Sequence, residues 1–166
     1  MAIVNYIQFQ VFTQPHPQQP GKSVVQVQTG PHGLFSGGLV MEMAIGIDDV
    51  TAQALPAGTP APSPVIVKGL FDTGCTITSI DQSLVTKLGL KVRGFAQTAT
   101  ANGVTTASQH LVSLNFPGTQ LRGRLVHTVQ AINLAGQPFQ VLVGRDLMAG
   151  WSITYNGPSG FVSIAD

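Results

Sequence analysis

Asp72 is the residue whose surroundings best suit acid–base chemistry. It stands in the stretch "GLFDTGCTITSI", at the end of an apolar run and directly before Thr73, Gly74 and Cys75. The glycine lets the backbone bend sharply past the acid, and the threonine hydroxyl can bond back into the main chain to fix the loop. One carboxylate cannot act as general acid and general base at once, so the use of Asp72 depends on where a second one lies. The bland alternative is a strand-end turn residue bonded to its own loop.

The remaining reactive groups offer less. Cys75 is the sole cysteine, which excludes an internal disulfide, and with no histidine nearby in sequence it reads as a small buried hydrophobe rather than a reactive thiol. His16, His32, His110 and His127 lack the short spacings of metal ligands and read as loop or strand-face residues, so no metal and no cofactor is expected. The glycines of "GGLVMEMAIG" come without a phosphate-loop lysine or a following helix, which argues against nucleotide binding.

The elements that must position Asp72 are mostly strands, because apolar residues recur with a period of two. "YIQFQVF" places Ile7, Phe9 and Val11 on one face, "SVVQVQTG" repeats the pattern, and the Pro-rich "TQPHPQQPGK" between them suits a connection, so residues 1–33 read as an N-terminal β-hairpin extension. "GGLVMEMAIGI" is a third strand. The four prolines of 48–64 mark a surface loop. "VIVKGLF" delivers Asp72, and its nearly unbroken apolar character predicts burial on both faces. "SIDQSLVTKLGL" is the one convincing helix, with Ser79 or Asp81 as its cap, a stripe of Leu84, Val85 and Leu88, and Gly89 at its end.

Beyond that helix, two polar β segments meet at Asn102-Gly103, a pair favoured in tight hairpin turns. The tip of this hairpin is poor in large apolar residues and should project from the body. "LRGRLVHTVQAINL", with Arg122 and Arg124 on a wet face, and "FQVLVG" are further strands. "RDLMAG" reads as one helical turn capped by Asp146, and "WSITYNGPSGFVSIAD" closes the chain as a hairpin in which Trp151 and Tyr155 serve packing.

Composition narrows the field of partners. The chain has 166 residues, enough for one domain with a real core, and only 9% of them are charged, against about a quarter in ordinary globular proteins. The net charge is +1 and the basic residues are scattered, so neither nucleic acid nor an anionic membrane is an expected partner. The first residues lack a basic n-region and no apolar run reaches the ~18 residues of a membrane span, which makes the cytoplasm the default location. A domain excised from a larger chain would look the same.

The order "LFDTGCTITSI", a short helix, a hairpin through "TATANGVTT" and then "VLVGRDLMAG" resembles the retropepsin-like aspartic proteases, over residues 39–164. That resemblance implies an all-β, closed barrel-like acid-protease fold with one or two short helices and one lobe per chain, residues 34–166 forming the lobe. Two-lobed relatives carry two Asp-Thr/Ser-Gly motifs. Here Asp48, Asp49, Asp81, Asp146 and Asp166 are not followed by Thr-Gly or Ser-Gly, so the second carboxylate is expected from another copy of the chain, in a homodimer.

By the same resemblance, Asp72 is the catalytic acid/base, and Thr73, Gly74 and Cys75 form the active-site loop, with Thr73 reaching across the dimer axis and Gly74 meeting the substrate backbone. Thr98, Ala99, Thr100, Ala101, Asn102, Gly103, Val104 and Thr105 form a flap over an extended peptide. Gly144, Arg145 and Asp146 are structural, tying the terminal helix to the loop. Cys75 and Thr76 depart from the family pattern, Thr76 standing where viral members often carry an acid that pairs with the arginine; Arg145 is therefore expected to find another partner, or the substrate-binding floor to be rebuilt. The competing functions are an aspartic endopeptidase, a non-catalytic peptide-binding or scaffolding module that keeps the fold, and a redox-gated site at Cys75.

Overall fold

The computed structural model describes residues 3–7, 9–15, 23–100, 103–119, 121 and 125–165. In chain order these form β1 (Ile3–Ile7), β2 (Phe9–Pro15), β3 (Ser23–Thr29), α1 (Gly30–Gly37), β4 (Val40–Ile47), α2 (Asp49–Gln53), β5 (Val65–Phe71), β6 (Ser79–Asp81), α3 (Gln82–Leu88), β7 (Val92–Thr100), β8 (Gly103–Asn115), β9 (Leu125–Ile132), β10 (Val141–Val143), α4 (Arg145–Met148), β11 (Ser152–Asn156) and β12 (Phe161–Ala165). The fold is all-β. Its described helices are four, where one or two were expected, and all are short.

The main sheet runs β4-β5-β10-β6-β9-β8-β7 and closes on itself because β4 also pairs with β8, from Ala44↔Asn115 to Ile47↔Val112. Six strands thus make a ring without free edges, which removes the exposed backbone that an open sheet offers for aggregation. The ring is filled by Met41, Met43, Ile45, Ile80, Val112, Leu114, Phe116, Val129, Val141 and Val143, with Leu84 and Leu88 of α3 packed against them. Each large side chain there contributes about 1.5–3 kcal/mol by leaving water.

β5 departs from the expected burial on both faces. Val67 and Gly69 are buried while Ile66 is 57% exposed, so the strand has one wet face despite its apolar sequence. An apolar run by itself carries no period and cannot say which face meets solvent; only the neighbours β4 and β10 decide it.

The α3 caps follow the sequence. The Asp81 carboxylate accepts the Ser83 amide at 3.0 Å, and Gly89 takes the left-handed conformation at φ 61° that ends the helix. Of the two cap candidates Asp81 serves; Ser79 lies in β6 and donates instead to the Ile77 carbonyl. Helix α2 arises inside the 48–64 loop because Asp48, nearly fully buried, accepts the Thr51 amide at 3.0 Å. At five residues it is too short to show an apolar period. Helix α1 holds three glycines within "GPHGLFSG" and is anchored by buried Leu34.

The chain ends differ from the expected hairpins in one respect. β2 and β3 pair antiparallel, from Phe9↔Thr29 to Pro15↔Ser23, and β11 pairs with β12 as expected. The N-terminal strand is split, however: Ile3–Ile7 pairs with Phe161–Ala165 instead, so β12 lies between β1 and β11 and Ile7 and Phe9 belong to different sheets. Val162 and Ile164 are fully buried, and a central strand needs backbone partners along both edges. The connection at 16–22, the wet-face arginines Arg122 and Arg124, and Asp166 lie outside the described residues.

Candidate active site

Two sequence motifs about seventy residues apart become neighbours because β5 and β10 run parallel, Leu70↔Leu142 and Phe71↔Val143. The chain leaves β5 at Asp72, whose amide donates to the Val143 carbonyl at 3.0 Å. It then turns tightly. The Cys75 amide donates to the Asp72 carbonyl at 3.0 Å, and the Gly74 amide donates to Asp72 Oδ1 at 2.8 Å. Asp72 is half-buried while Thr73 and Gly74 are exposed, so the carboxylate sits at the rim of the barrel with one oxygen held by its own loop. Behind it, Phe71, Phe116 and Trp151 form an aromatic cluster with ring centroids 5.4–6.3 Å apart. Trp151 therefore packs on the core, as expected; Tyr155 is half exposed, its hydroxyl donating to the Leu34 carbonyl at 3.3 Å.

The loop is gripped by the start of α4. The amides of Arg145 and Asp146 donate to the carbonyls of Cys75 (2.9 Å) and Thr76 (3.2 Å). The Arg145 guanidinium donates to the Thr73 carbonyl at 2.6 Å and to the Thr76 hydroxyl at 2.8 Å. The partner of Arg145 is thus the loop itself, a carbonyl and a hydroxyl where an acid was absent. Gly144 allows this approach: a Cβ there would lie 2.7 Å from the Ile77 carbonyl carbon and the Thr78 nitrogen.

Asp146 does not cap α4, whose first residue follows Gly144 without a side-chain cap. Its carboxylate accepts the Leu147 amide within α4 at 2.8 Å and otherwise faces the strand beyond the loop. Both of its oxygens accept the Thr78 amide at 2.9 Å, Oδ1 also accepts the Thr78 hydroxyl at 2.8 Å, and Oδ2 accepts His127 Nε2–H at 2.9 Å. Thr78 is fully buried, and its hydroxyl accepts the Gly144 amide at 3.0 Å. Burial pushes the Asp146 carboxyl up, but the bonds from the Thr78 amide, His127, the Thr78 hydroxyl and the Leu147 amide outweigh it and leave the group below its ordinary value. Burial likewise pushes the Cys75 thiol up, helped by the charge of Asp72, and the thiol donates to the Ile77 carbonyl at 3.0 Å.

Thr98, Ala99, Thr100, Gly103, Val104 and Thr105 lie on the β7–β8 hairpin in the register Thr98↔Thr105, Ala99↔Val104, Thr100↔Gly103. Ala101 and Asn102 lie outside the described residues. β7 is the one strand of the main sheet outside the closed ring, and Phe95 and Val104 are 69% and 70% exposed on the hairpin. The Thr98 hydroxyl donates to the side-chain oxygen of buried Gln130, whose backbone amide donates to the Thr78 carbonyl at 3.0 Å. Hairpin, β9 and the strand after the Asp72 loop are thereby joined.

His127, Thr78 and Gln130 were not singled out as site residues by the sequence. The one signal was the polar Thr78-Ser79 pair between Ile77 and Ile80; nothing local links His127 to an aspartate nineteen residues on. His110 lies on strand β8 and is fully buried, its Nδ1–H donating to the Lys91 carbonyl at 3.1 Å and Nε2 accepting the Ser108 hydroxyl at 2.8 Å. Among the described residues, no three His, Cys, Asp or Glu side chains gather as metal ligands, and no helix is long and apolar enough to cross a membrane.

A family model described as aspartyl protease matches residues 64–147. No curated protein matches the chain. Among solved structures, the solution structure of simian foamy virus (mac) protease is similar over 67% of this chain and 92% of that one, with 14% identity and a TM-score of 0.42. The family match spans half of the chain and takes in both Asp72-Thr73-Gly74 and Gly144-Arg145-Asp146. In keeping with the resemblance to retropepsin-like proteases read from its sequence, the chain belongs to the aspartyl protease family.

Proposed function

We propose that the protein is an aspartic endopeptidase in which two Asp72 carboxylates, one from each subunit of a homodimer, activate a water molecule against a peptide bond. The observation that carries this reading is a single Asp-Thr-Gly loop, braced on its inner side by α4 and open to solvent on its outer side at Thr73 and Gly74. Two such loops facing each other across a two-fold axis would bring the carboxylates together. Carboxylates that close cannot both ionise cheaply, so the pair shares a proton. The ionised member takes a proton from the water as it attacks the carbonyl carbon, while the protonated member donates to the carbonyl oxygen. Collapse of the tetrahedral intermediate then expels the amine, which takes a proton from the dyad. The 98–105 hairpin would close over a substrate held as an extended strand by main-chain bonds.

The test is cleavage of a peptide library from acid to neutral pH by the wild type and by Asp72→Asn, with sedimentation to count subunits. Cleavage by a dimer that Asp72→Asn abolishes is expected. Equal cleavage by both would place the activity elsewhere, and a dimer that binds peptides without cutting them would favour a peptide-binding module.

A further inference from the structure

We propose that His127 is a positioning residue for the Asp72 loop, acting through Asp146 and Thr78; the proposal rests on the reading of Asp72 as the catalytic acid. The main chain of β9 is fixed at this point by its ladder to β8, where His127 lies opposite Val112, and that pairing does not depend on the side chain. The imidazole is 23% exposed and takes no place in the apolar core. Its hydrogen-bond partner is the Asp146 carboxylate, 19% exposed, at 2.9 Å.

Asp146 is where the grip on the loop is decided. Its carboxylate holds both the amide and the hydroxyl of Thr78, six residues beyond Asp72, and its own amide and that of Arg145 hold the Thr76 and Cys75 carbonyls. A carboxylate at this depth has two courses. Here Oδ1 is held by the Thr78 amide and hydroxyl and by the Leu147 amide, whereas Oδ2 only shares the Thr78 amide, and its remaining lone pair is met either by a donor on the solvent side or by turning outward to water. His127 supplies that donor. Without it, the outward course draws the first turn of α4 away from Thr78, and the bonds from Arg145 to the Thr73 carbonyl and the Thr76 hydroxyl lengthen with it. The position of Asp72 against its mate would then be averaged over several loop geometries, which lowers turnover more than binding.

The experiment compares His127→Ala and His127→Gln in the full chain. In His127→Ala, kcat is expected to fall about tenfold, the size of one lost hydrogen bond to a charged group, with KM little changed. His127→Gln, which keeps an N–H donor, is expected to restore most of the loss. Amide exchange provides a second readout that needs no substrate: in His127→Ala the amides of Cys75, Thr78, Arg145 and Asp146 should lose protection while the β8–β9 ladder around Val112 keeps it. Unchanged kcat with unchanged protection would overturn the proposal, as would a uniform loss of protection across loop and ladder. If the wild type cleaves nothing, the endopeptidase reading fails, and the exchange pattern still decides the role of His127.

Discussion

Thr78→Val removes one hydroxyl from a fully buried position and changes little else in shape. Two consequences follow. The Gly144 amide, which donates to that hydroxyl at 3.0 Å, becomes a buried donor without a partner, costing about 1–3 kcal/mol. Asp146 also loses a bond of 2.8 Å to a charged acceptor, about 1.5–3 kcal/mol. The added methyl group returns about 0.8 kcal/mol of apolar burial. The net expectation is a loss of about 2–5 kcal/mol at neutral pH, which for a chain of this size lowers Tm by about 4–20 °C.

Urea unfolding followed by tryptophan fluorescence would measure this loss, since the one tryptophan, Trp151, lies three residues beyond α4. The sign with pH can also be worked out. Asp146 titrates below its ordinary value in the folded chain, so the unfolded chain takes up its proton first as the pH falls. The stability this group contributes is complete above its ordinary value of about 4 and is lost as pH falls through the lower folded value. Part of the lowering comes from Thr78, so the gap between wild type and Thr78→Val should narrow below about pH 4. A variant within 0.5 kcal/mol of wild type at neutral pH, a margin about that of an ordinary surface substitution, would refute the reasoning. So would a gap of the same size at pH 3 and pH 7.

Three further outcomes are expected. Arg145→Lys keeps the charge but loses the planar fork that reaches both the Thr73 carbonyl and the Thr76 hydroxyl; at this exposed position the cost to stability should stay near ~1 kcal/mol while peptide cleavage falls more steeply, measured by comparing denaturation midpoints with kcat/KM. Gly144→Ala places a Cβ against the Ile77–Thr78 backbone, where no side chain can yield, and should cost about 1–3 kcal/mol in thermal unfolding, with a shift of the Cys75 and Thr76 amide resonances. Cys75 should be alkylated more slowly than a free thiol at neutral pH, because burial and the Asp72 charge both disfavour the thiolate, and a rate equal to that of a free thiol would contradict this.

Local chemistry explains which features could be read ahead. The α3 start and stop were legible because a cap is a matter of a few adjacent residues: Asp81 bonds the Ser83 amide two residues on, and Gly89 adopts its φ regardless of what packs around it. The β7–β8 hairpin was legible because Asn102-Gly103 is a pair favoured in tight hairpin turns, and β7 and β8 pair antiparallel up to Thr100↔Gly103. β5 was legible as a strand but not as a half-exposed one, since an unbroken apolar run looks the same whether one face or both are covered. The N-terminal segment misled for a related reason, because alternation continues through residues 6–12 although the strands on either side of residue 8 join different sheets.

By itself the sequence determined the strand-rich character, the caps of α3, the position of a single Asp-Thr-Gly motif and, through its order of motifs, the family. The tertiary structure decided that β5 and β10 lie side by side, that β4 closes the ring onto β8, that Arg145 grips the loop at Thr73 and Thr76, and that His127 meets Asp146. The division has a physical cause. Backbone caps and turns are satisfied within a few residues of the chain, whereas a buried carboxylate takes whichever donor the packed strands bring within about 3 Å of it, and sequence separation carries no record of that distance.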